Sequence, residues 1–420
     1  MKIILILSHL LLAILVQVDP IIISIHAYIT LALGFYYTLM DSNAHRGLIV
    51  MSYIIGSELL WRGFGANVFW EYGKIITILL ILLLIYRIGF TKIKLNLGAV
   101  YVLLLIPSLI SLDTNNYTDI THSLLGPILL GMSVNLFKNI SINRLQLYKM
   151  LFFATVPIIT LLAITNYDTI FSGGFNYTSA YIERIETAGI GPNQASNILG
   201  LGVLFIFLLT QLFRDKTTLF FQILGIIAII QTMLTHSRGG FWNTLISIVI
   251  FYFFQLTTTK SKVRLLIGAF PLILSFFYII FPFLDNISSG SVIQRFSNAD
   301  LGRREVIIDS ELVAFKQNPV FGIGPGQSRK YRKDNFDHYT HAHTEYTRLL
   351  AEHGVFGVFA NIILFILTFY TLKNKSGNER TISMTLITWS LLFMIHSATR
   401  LAAPCFLFGI AMAKFDLKNE

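Results

Sequence analysis

The sequence predicts an all-α polytopic membrane protein, with about fourteen (12–14) transmembrane helices at roughly twenty residues each and one long outer loop that contains helices. Three observations lead there. Of the 420 residues, 54% are hydrophobic and only 13% charged, where a soluble chain carries about 25% charged residues. Apolar runs near the length that crosses a bilayer recur from end to end, separated by short polar breaks. Lysine and arginine gather at every second break, which is the positive-inside pattern.

Taken in order, the opening run from Lys2 to Val18 has no small-residue cleavage site and passes straight into a second apolar stretch. It reads as a first transmembrane helix instead of a signal peptide. Spans are expected at 3–18, 20–40, 47–61, 73–89, 96–112, 120–137, 149–165, 194–213, 217–234, 241–257, 265–284, 347–372, 381–397 and 401–414. The stretch 47–61 is short and holds Glu58, which suits a tilted or re-entrant element as well as a clean crossing. Arg87, Lys92 and Lys94; Lys138, Arg144 and Lys149; Arg214 and Lys216; Lys260, Lys262 and Arg264; and Lys373, Lys375 and Arg380 mark the alternate loops, and both termini are expected in the cytoplasm.

Two outer loops are long: 166–193 and 285–346. A structureless loop of some sixty residues is unusual, so the second is expected to hold helices packed on the membrane part. Residues 303–317 place Val306, Ile307, Ser310, Val313 and Ala314 on one helical face, and Asn318 and Pro319 end the pattern. No internal repeat is visible, which disfavours a repeat-built transporter. The net charge of +10 is spread over short loops and forms no single stripe, so no nucleic-acid partner is implied. Cys405 is the single cysteine and lies in an apolar stretch, so neither an internal disulfide nor a cysteine metal site is available.

The short outer loops select arginine, at Arg62, Arg184, Arg238 and Arg400. A planar, permanently charged fork grips phosphate oxygens two at a time, whereas an interfacial anchor would need only charge. Arg238 lies in THSRGGFW, a turn too short to move far from the membrane edge. There Ser237 adds a hydroxyl, and Gly239 and Gly240 permit close backbone approach. Arg184 precedes GIGPNQAS, where Gly191 and Pro192 turn the chain and Asn193 can cap the next helix.

The long loop carries NPVFGIGPG at 318–326. No strand precedes it and no lysine–hydroxyl pair follows, so it reads as a turn and not a nucleotide loop. THAHTEYTRLLAEHG follows at 340–354, with His341 and His343 two residues apart. No carboxylate sits at a ligand spacing, which disfavours a metal, and no cofactor is implied. A histidine at the outer membrane edge suits a general base that removes a proton from a sugar hydroxyl.

Arg184 with GPNQAS, the HSRGG turn, GRREV with NPVFGIGPG, and His343 with Gly354 eleven residues later resemble the O-antigen ligase and O-antigen polymerase family over residues 180–365. One departure is Thr344, where the family often has Asn, Ser or Gln. The resemblance implies a metal-independent membrane glycosyltransferase whose donor is an undecaprenyl-diphosphate-linked glycan. It implies His343 as base, Arg184 and Arg238 on the diphosphate, and Arg303, Ser237 and His341 as further substrate-binding candidates. It divides the chain into N-terminal transmembrane helices (1–180), a ligase/polymerase-like core (181–372) and C-terminal transmembrane helices (373–420). The expected setting is the bacterial inner membrane, with the loop in the periplasm. A lipid A core sugar as acceptor would make the protein an O-antigen ligase, and a second lipid-linked unit would make it a repeat-unit polymerase. A lipid-linked glycan transporter is the alternative of another class; it would place its polar groups near the midplane and not on one side.

Overall fold

The computed structural model describes residues 2–40, 45–89, 91–112, 117–171, 191–213, 217–235, 237–275, 278–279, 282–283, 286, 302–338, 340 and 342–417. In chain order the helices are α1 Lys2–Val18, α2 Ile21–Met40, α3 His45–Gly63, α4 Tyr72–Ile88 and α5 Leu97–Leu103 with a 3-10 turn at Pro107–Ser111. They continue as α6 Tyr117–Phe137, α7 Arg144–Phe171, α8 Pro192–Leu212, α9 Thr218–Leu234, α10 Arg238–Gln255 and α11 Thr259–Ser275. The last are α12 Gly302–Gln317, α13 Ser328–Phe336, α14 Glu345–His353, α15 Val355–Asn374, α16 Gly377–Ser397 and α17 Ala402–Ile410. Two three-residue strands, β1 Ser141–Asn143 and β2 Lys414–Asp416, pair in parallel.

Among the described residues five helices are long and apolar enough to cross a membrane: α2, α6, α7, α8 and α15. Where their residues are described, the expected spans fall mostly on helix, but three are cut differently, and part of 265–284 lies outside the described residues. Pro107 ends the helix expected over 96–112, because proline has no amide to donate and crowds the preceding turn. The expected span 347–372 breaks at Gly354, whose φ of 58° is left-handed, so α14 stands apart and only α15 has crossing length. The expected span 401–414 reduces to the nine residues of α17, about 14 Å of helix against a hydrocarbon core of about 30 Å. At its C-terminal end, α7 continues to Phe171, into the expected loop 166–193.

The chain divides into two units, Met1–Trp70 with Arg144–Ala299 and Glu71–Asn143 with Asp300–Glu420. In the first, α3 lies on α7, and α8 sits between α9 and α10. Glycine sets the closest approach: a side chain at Gly240 would overlap the Ser196 carbonyl oxygen, so α8 and α10 touch through backbone. One set of buried polar groups in this unit forms a continuous hydrogen-bonded chain. Trp61 Nε1 donates to His26 Nδ1 at 2.9 Å, and His26 Nε2 lies 2.5 Å from Tyr53 Oη. Tyr53 Oη is 3.0 Å from His9 Nε2, and His9 Nδ1 is 2.8 Å from Thr160 Oγ1. Thr160 then donates to the His9 carbonyl at 3.0 Å. One direction of donation, with neutral rings protonated on His26 Nε2 and His9 Nδ1, satisfies every link. Glu58 is paired with Arg62 at 2.5 Å, which resolves the acid inside the 47–61 stretch.

In the second unit α6 packs against α4, α5 and α17, and the helices α12, α13 and α14 pack on one another. The expected 303–317 helix is α12, with Ile307, Ser310 and Ala314 buried. Arg332 of α13 joins all three: it donates to Glu311 of α12 at 2.7 Å, to Ser310 at 2.9 Å and to the Thr340 carbonyl, while Thr347 of α14 donates to the other Glu311 oxygen at 2.5 Å. The long loop therefore does carry its own packed helices.

Candidate functional site

α14 forms because EYTRLLAEH places charge at helical spacing on one side, with Thr344 at its N-cap accepting from the Tyr346 amide. Arg348 donates to Glu345 through Nη2 at 2.5 Å and Nε at 3.2 Å, to Glu352 at 2.9 Å, and to the Ser123 carbonyl at 3.0 Å. The Ser123 hydroxyl donates to Glu352. Burial opposes the Arg348 charge, but Glu345 and Glu352 outweigh it and raise the guanidinium. The same contacts hold the Glu352 carboxyl below its ordinary value despite burial. Such a cluster is a rigid base for whatever is built on it, since breaking one partner strands the others.

His343 sits one residue ahead of that cap. The backbone around it is tied on both sides: its carbonyl accepts from the Ala398 amide at 3.1 Å, and the Ala342 carbonyl accepts from Arg400 Nη2 at 2.7 Å. Nδ1 of His343 is buried with no hydrogen-bond partner among the described residues. Burial lowers the imidazole to about 4, and the Arg400 and Arg304 charges add to this against a backbone hydrogen bond at His396. The ring is therefore neutral at neutral pH and has a lone pair for a proton. Arg400 is itself lowered to about 10 by burial and by Arg348 and Arg332, and stays charged.

The glycine-rich turn serves α14. Gly322, Gly324 and Gly326 have φ of 72°, 95° and 79°, values that only glycine adopts cheaply. They let the Ile323 and Gly324 amides donate to the carbonyls of Ala351 and Glu352 at 2.9 and 3.2 Å, closing the C-terminal end of α14. These amides are spent on structure, in keeping with a turn and not a phosphate loop.

A small cleft, partly open to solvent, adjoins this scaffold. Its walls are Asp119, His122 and Ser123 at the start of α6, Gly326 and Arg329 at the start of α13, Arg348 and Glu352 of α14, Ala342, and the turn 398–400. His122 Nδ1 lies 2.7 Å from Glu71 Oε1, and Lys74 Nζ lies 2.7 Å from Glu71 Oε2.

The remaining sequence candidates fall as follows. Arg238 opens α10 in the first unit and is half-buried. Ser237 precedes it with its hydroxyl donating to Asn193 Oδ1 at 2.8 Å, while Ser196 donates to the Ser237 carbonyl at 2.8 Å. The GPNQAS and HSRGG motifs, 41 to 44 residues apart, are thus one docked pair. His343 belongs to the second unit. Arg184 and His341 lie outside the described residues, as does the Arg303 side chain, although its backbone opens α12. Sequence reasoning passed over Glu345, Arg348 and Glu352 because the boundary between the expected loop 285–346 and the expected span 347–372 fell between Glu345 and the other two, although the spacing of three and four was visible. The Glu71–His122 pair, 51 residues apart, leaves no local signal.

Residues 223–362 match the family model described as O-antigen ligase. No curated protein and no solved structure matches the chain. The match supports assignment to the O-antigen ligase and polymerase family, and together with the apolar helices it supports a membrane enzyme of the ligase/polymerase type.

Proposed function

We propose that this protein is an O-antigen ligase that transfers an undecaprenyl-diphosphate-linked glycan to an acceptor sugar at the periplasmic face of the bacterial inner membrane, without a metal, in a fold of twelve to fourteen crossings at roughly twenty residues each. The observation that carries the reading is His343: a neutral, partly buried imidazole on tied backbone beside Arg400, with Nδ1 unpartnered among the described residues.

In the reaction the acceptor hydroxyl attacks the anomeric carbon of the donor. His343 takes the hydroxyl proton as the new glycosidic bond forms. The bond from the anomeric carbon to the phosphate oxygen breaks, and its electron pair leaves with undecaprenyl diphosphate. Arginine supplies the charge that the leaving group needs, and Arg184, Arg238 and Arg303 are the assigned candidates. By the charge alternation of the loops, the start of α6, the loop helices and the turn at 398–400 share the outer side.

The test is transfer by purified protein in detergent, from native lipid-diphosphate glycan to lipid A core in one tube and to a second lipid-linked unit in another. Transfer to core alone supports ligase. Elongation of the lipid-linked unit makes the protein a polymerase, and no transfer in either tube favours the transporter.

A further inference from the structure

The turn 398–400, which joins α16 to α17, meets the segment that carries His343 at three points. The Ala398 amide donates to the His343 carbonyl at 3.1 Å. Arg400 Nη2 donates to the Ala342 carbonyl at 2.7 Å. Thr399 donates twice to Glu345 Oε2, through its amide and through its hydroxyl, each at 3.1 Å. His343 lies between the anchors at Ala342 and Glu345, so the turn fixes the backbone from which its ring projects.

This turn is over-determined. Ala398 has φ 49° and ψ −145°, backbone that glycine adopts freely and alanine only under strain. Strain of that kind persists where the surroundings enforce it, and here they are the bonds to residues 342–345. Thr399 is 2% exposed and sits against Gly126 of α6, where any side chain would overlap the Thr399 hydroxyl, Cβ and carbonyl oxygen. Its partner Glu345 is itself held by Arg348 at 2.5 Å, and Arg348 Nη2 lies 3.5 Å from the Thr399 hydroxyl. The turn, α6 and α14 therefore converge on one threonine side chain. A general base gains from such a hold, because a misplacement of about 1 Å costs roughly a hundredfold in rate.

We propose that Thr399 is a positioning residue for the transfer reaction: by locking the turn 398–400 to Glu345, it holds His343 at a fixed distance and angle to the attacking hydroxyl. It acts through His343 and not through substrate. The proposal rests on the glycan-transfer reading with His343 as base.

The test compares Thr399→Val, Thr399→Ser and Gly126→Ala in the full-length protein in detergent. Thr399→Val keeps the side-chain shape and the amide bond but removes the hydroxyl, and Thr399→Ser restores it. Gly126→Ala pushes on the turn from α6 without altering a polar group. In Thr399→Val and Gly126→Ala, kcat per folded molecule is expected to fall about tenfold or more, with both KM values within about threefold, and in Thr399→Ser it recovers. A second readout needs no turnover: the imidazole resonance of histidine-labelled protein that is lost in His343→Ala should shift in Thr399→Val and Gly126→Ala and return in Thr399→Ser. Wild-type kcat in Thr399→Val, an equal fall in Thr399→Val and Thr399→Ser, or a raised KM at unchanged kcat overturns the proposal. If wild type transfers no glycan, the transfer reading falls and the resonance alone decides: a shift upholds the hold on His343, and an unmoved resonance in both variants overturns it.

Discussion

A general base must be unprotonated before it can act, and the surroundings of His343 secure this. Burial, then Arg400 and Arg304, lower the ring to about 4, so the active neutral form persists through the neutral range and is lost only as pH falls through about 4. The acidic limb of kcat/KM is therefore expected near pH 4, and a limb near the unperturbed value of about 6.5 would show that the ring in the working enzyme is solvated. His343→Ala is expected to abolish glycan transfer in cells while the protein still inserts and accumulates, which immunoblotting of membranes checks; transfer near the wild-type level would end the assignment. Arg238, first residue of α10, stands on a turn held by the Ser237–Asn193 contact, so its guanidinium works from a fixed height. If it grips the leaving diphosphate with two parallel bonds, Arg238→Lys should cost about 2 to 4 kcal/mol of transition-state stabilisation, roughly a hundredfold in rate or more, with chelator present throughout. Equal rates would make it a headgroup anchor, and chelator-sensitive wild-type activity would bring back a metal at the histidines. Residue types suggested these candidates because histidine and arginine announce proton and phosphate chemistry wherever they occur. Glu71 and His122 did not announce themselves: each is an ordinary polar residue at a helix end, and only the packing of α6 beside α4 makes them a pair.

Among the elements, α14 depends on two kinds of support. One is the glycine turn. A side chain on Gly324 would overlap the Ser111 carbonyl oxygen at a φ of 95°, so Gly324→Ala is expected to cost about 1 to 3 kcal/mol and lower the melting temperature in detergent. Gly65→Ala is the control, because φ there is 66° with nothing within 4 Å and only backbone strain applies; equal losses in the two variants would show that the overlap is relieved. The other support is Arg332. Replacing it by Met leaves Glu311 buried without its cation, which should destabilise the α12–α13–α14 group by about 3 to 5 kcal/mol, read as faster proteolysis within residues 302–353. Apolar periodicity located these helices well because period and length are local properties. The breaks were harder. Gly354 lies inside a stretch apolar enough to read as one span, and its left-handed φ follows from packing against the Val320 carbonyl. Likewise α17 is apolar because it is buried on all sides against α6 and α16, and a buried core helix cannot be told from a crossing by composition alone.

For the whole molecule, the distribution of lysine and arginine decides which face meets which solvent. The short loops obey the rule, but α13 reads SRKYRKDNF, a basic run on the side assigned to the periplasm. Two facts reconcile it. Translocation is governed by short loops, and this one exceeds about sixty residues; moreover Arg332 is neutralised in a buried pair with Glu311. Between this loop and the cluster Lys373, Lys375 and Arg380 lies α15, twenty residues with a crossing-length apolar window. A reporter active only outside the cytoplasm should therefore work when fused at residue 330 and fail at residue 376. Activity at both points would mean that α15 does not cross and that α14 and α15 form a hairpin on one face. The inverse pattern would place His343 and the cleft in the cytoplasm. Activated glycans assembled for export are consumed on the outer side, so that result would remove the lipid-diphosphate donor from this site while leaving the fold untouched.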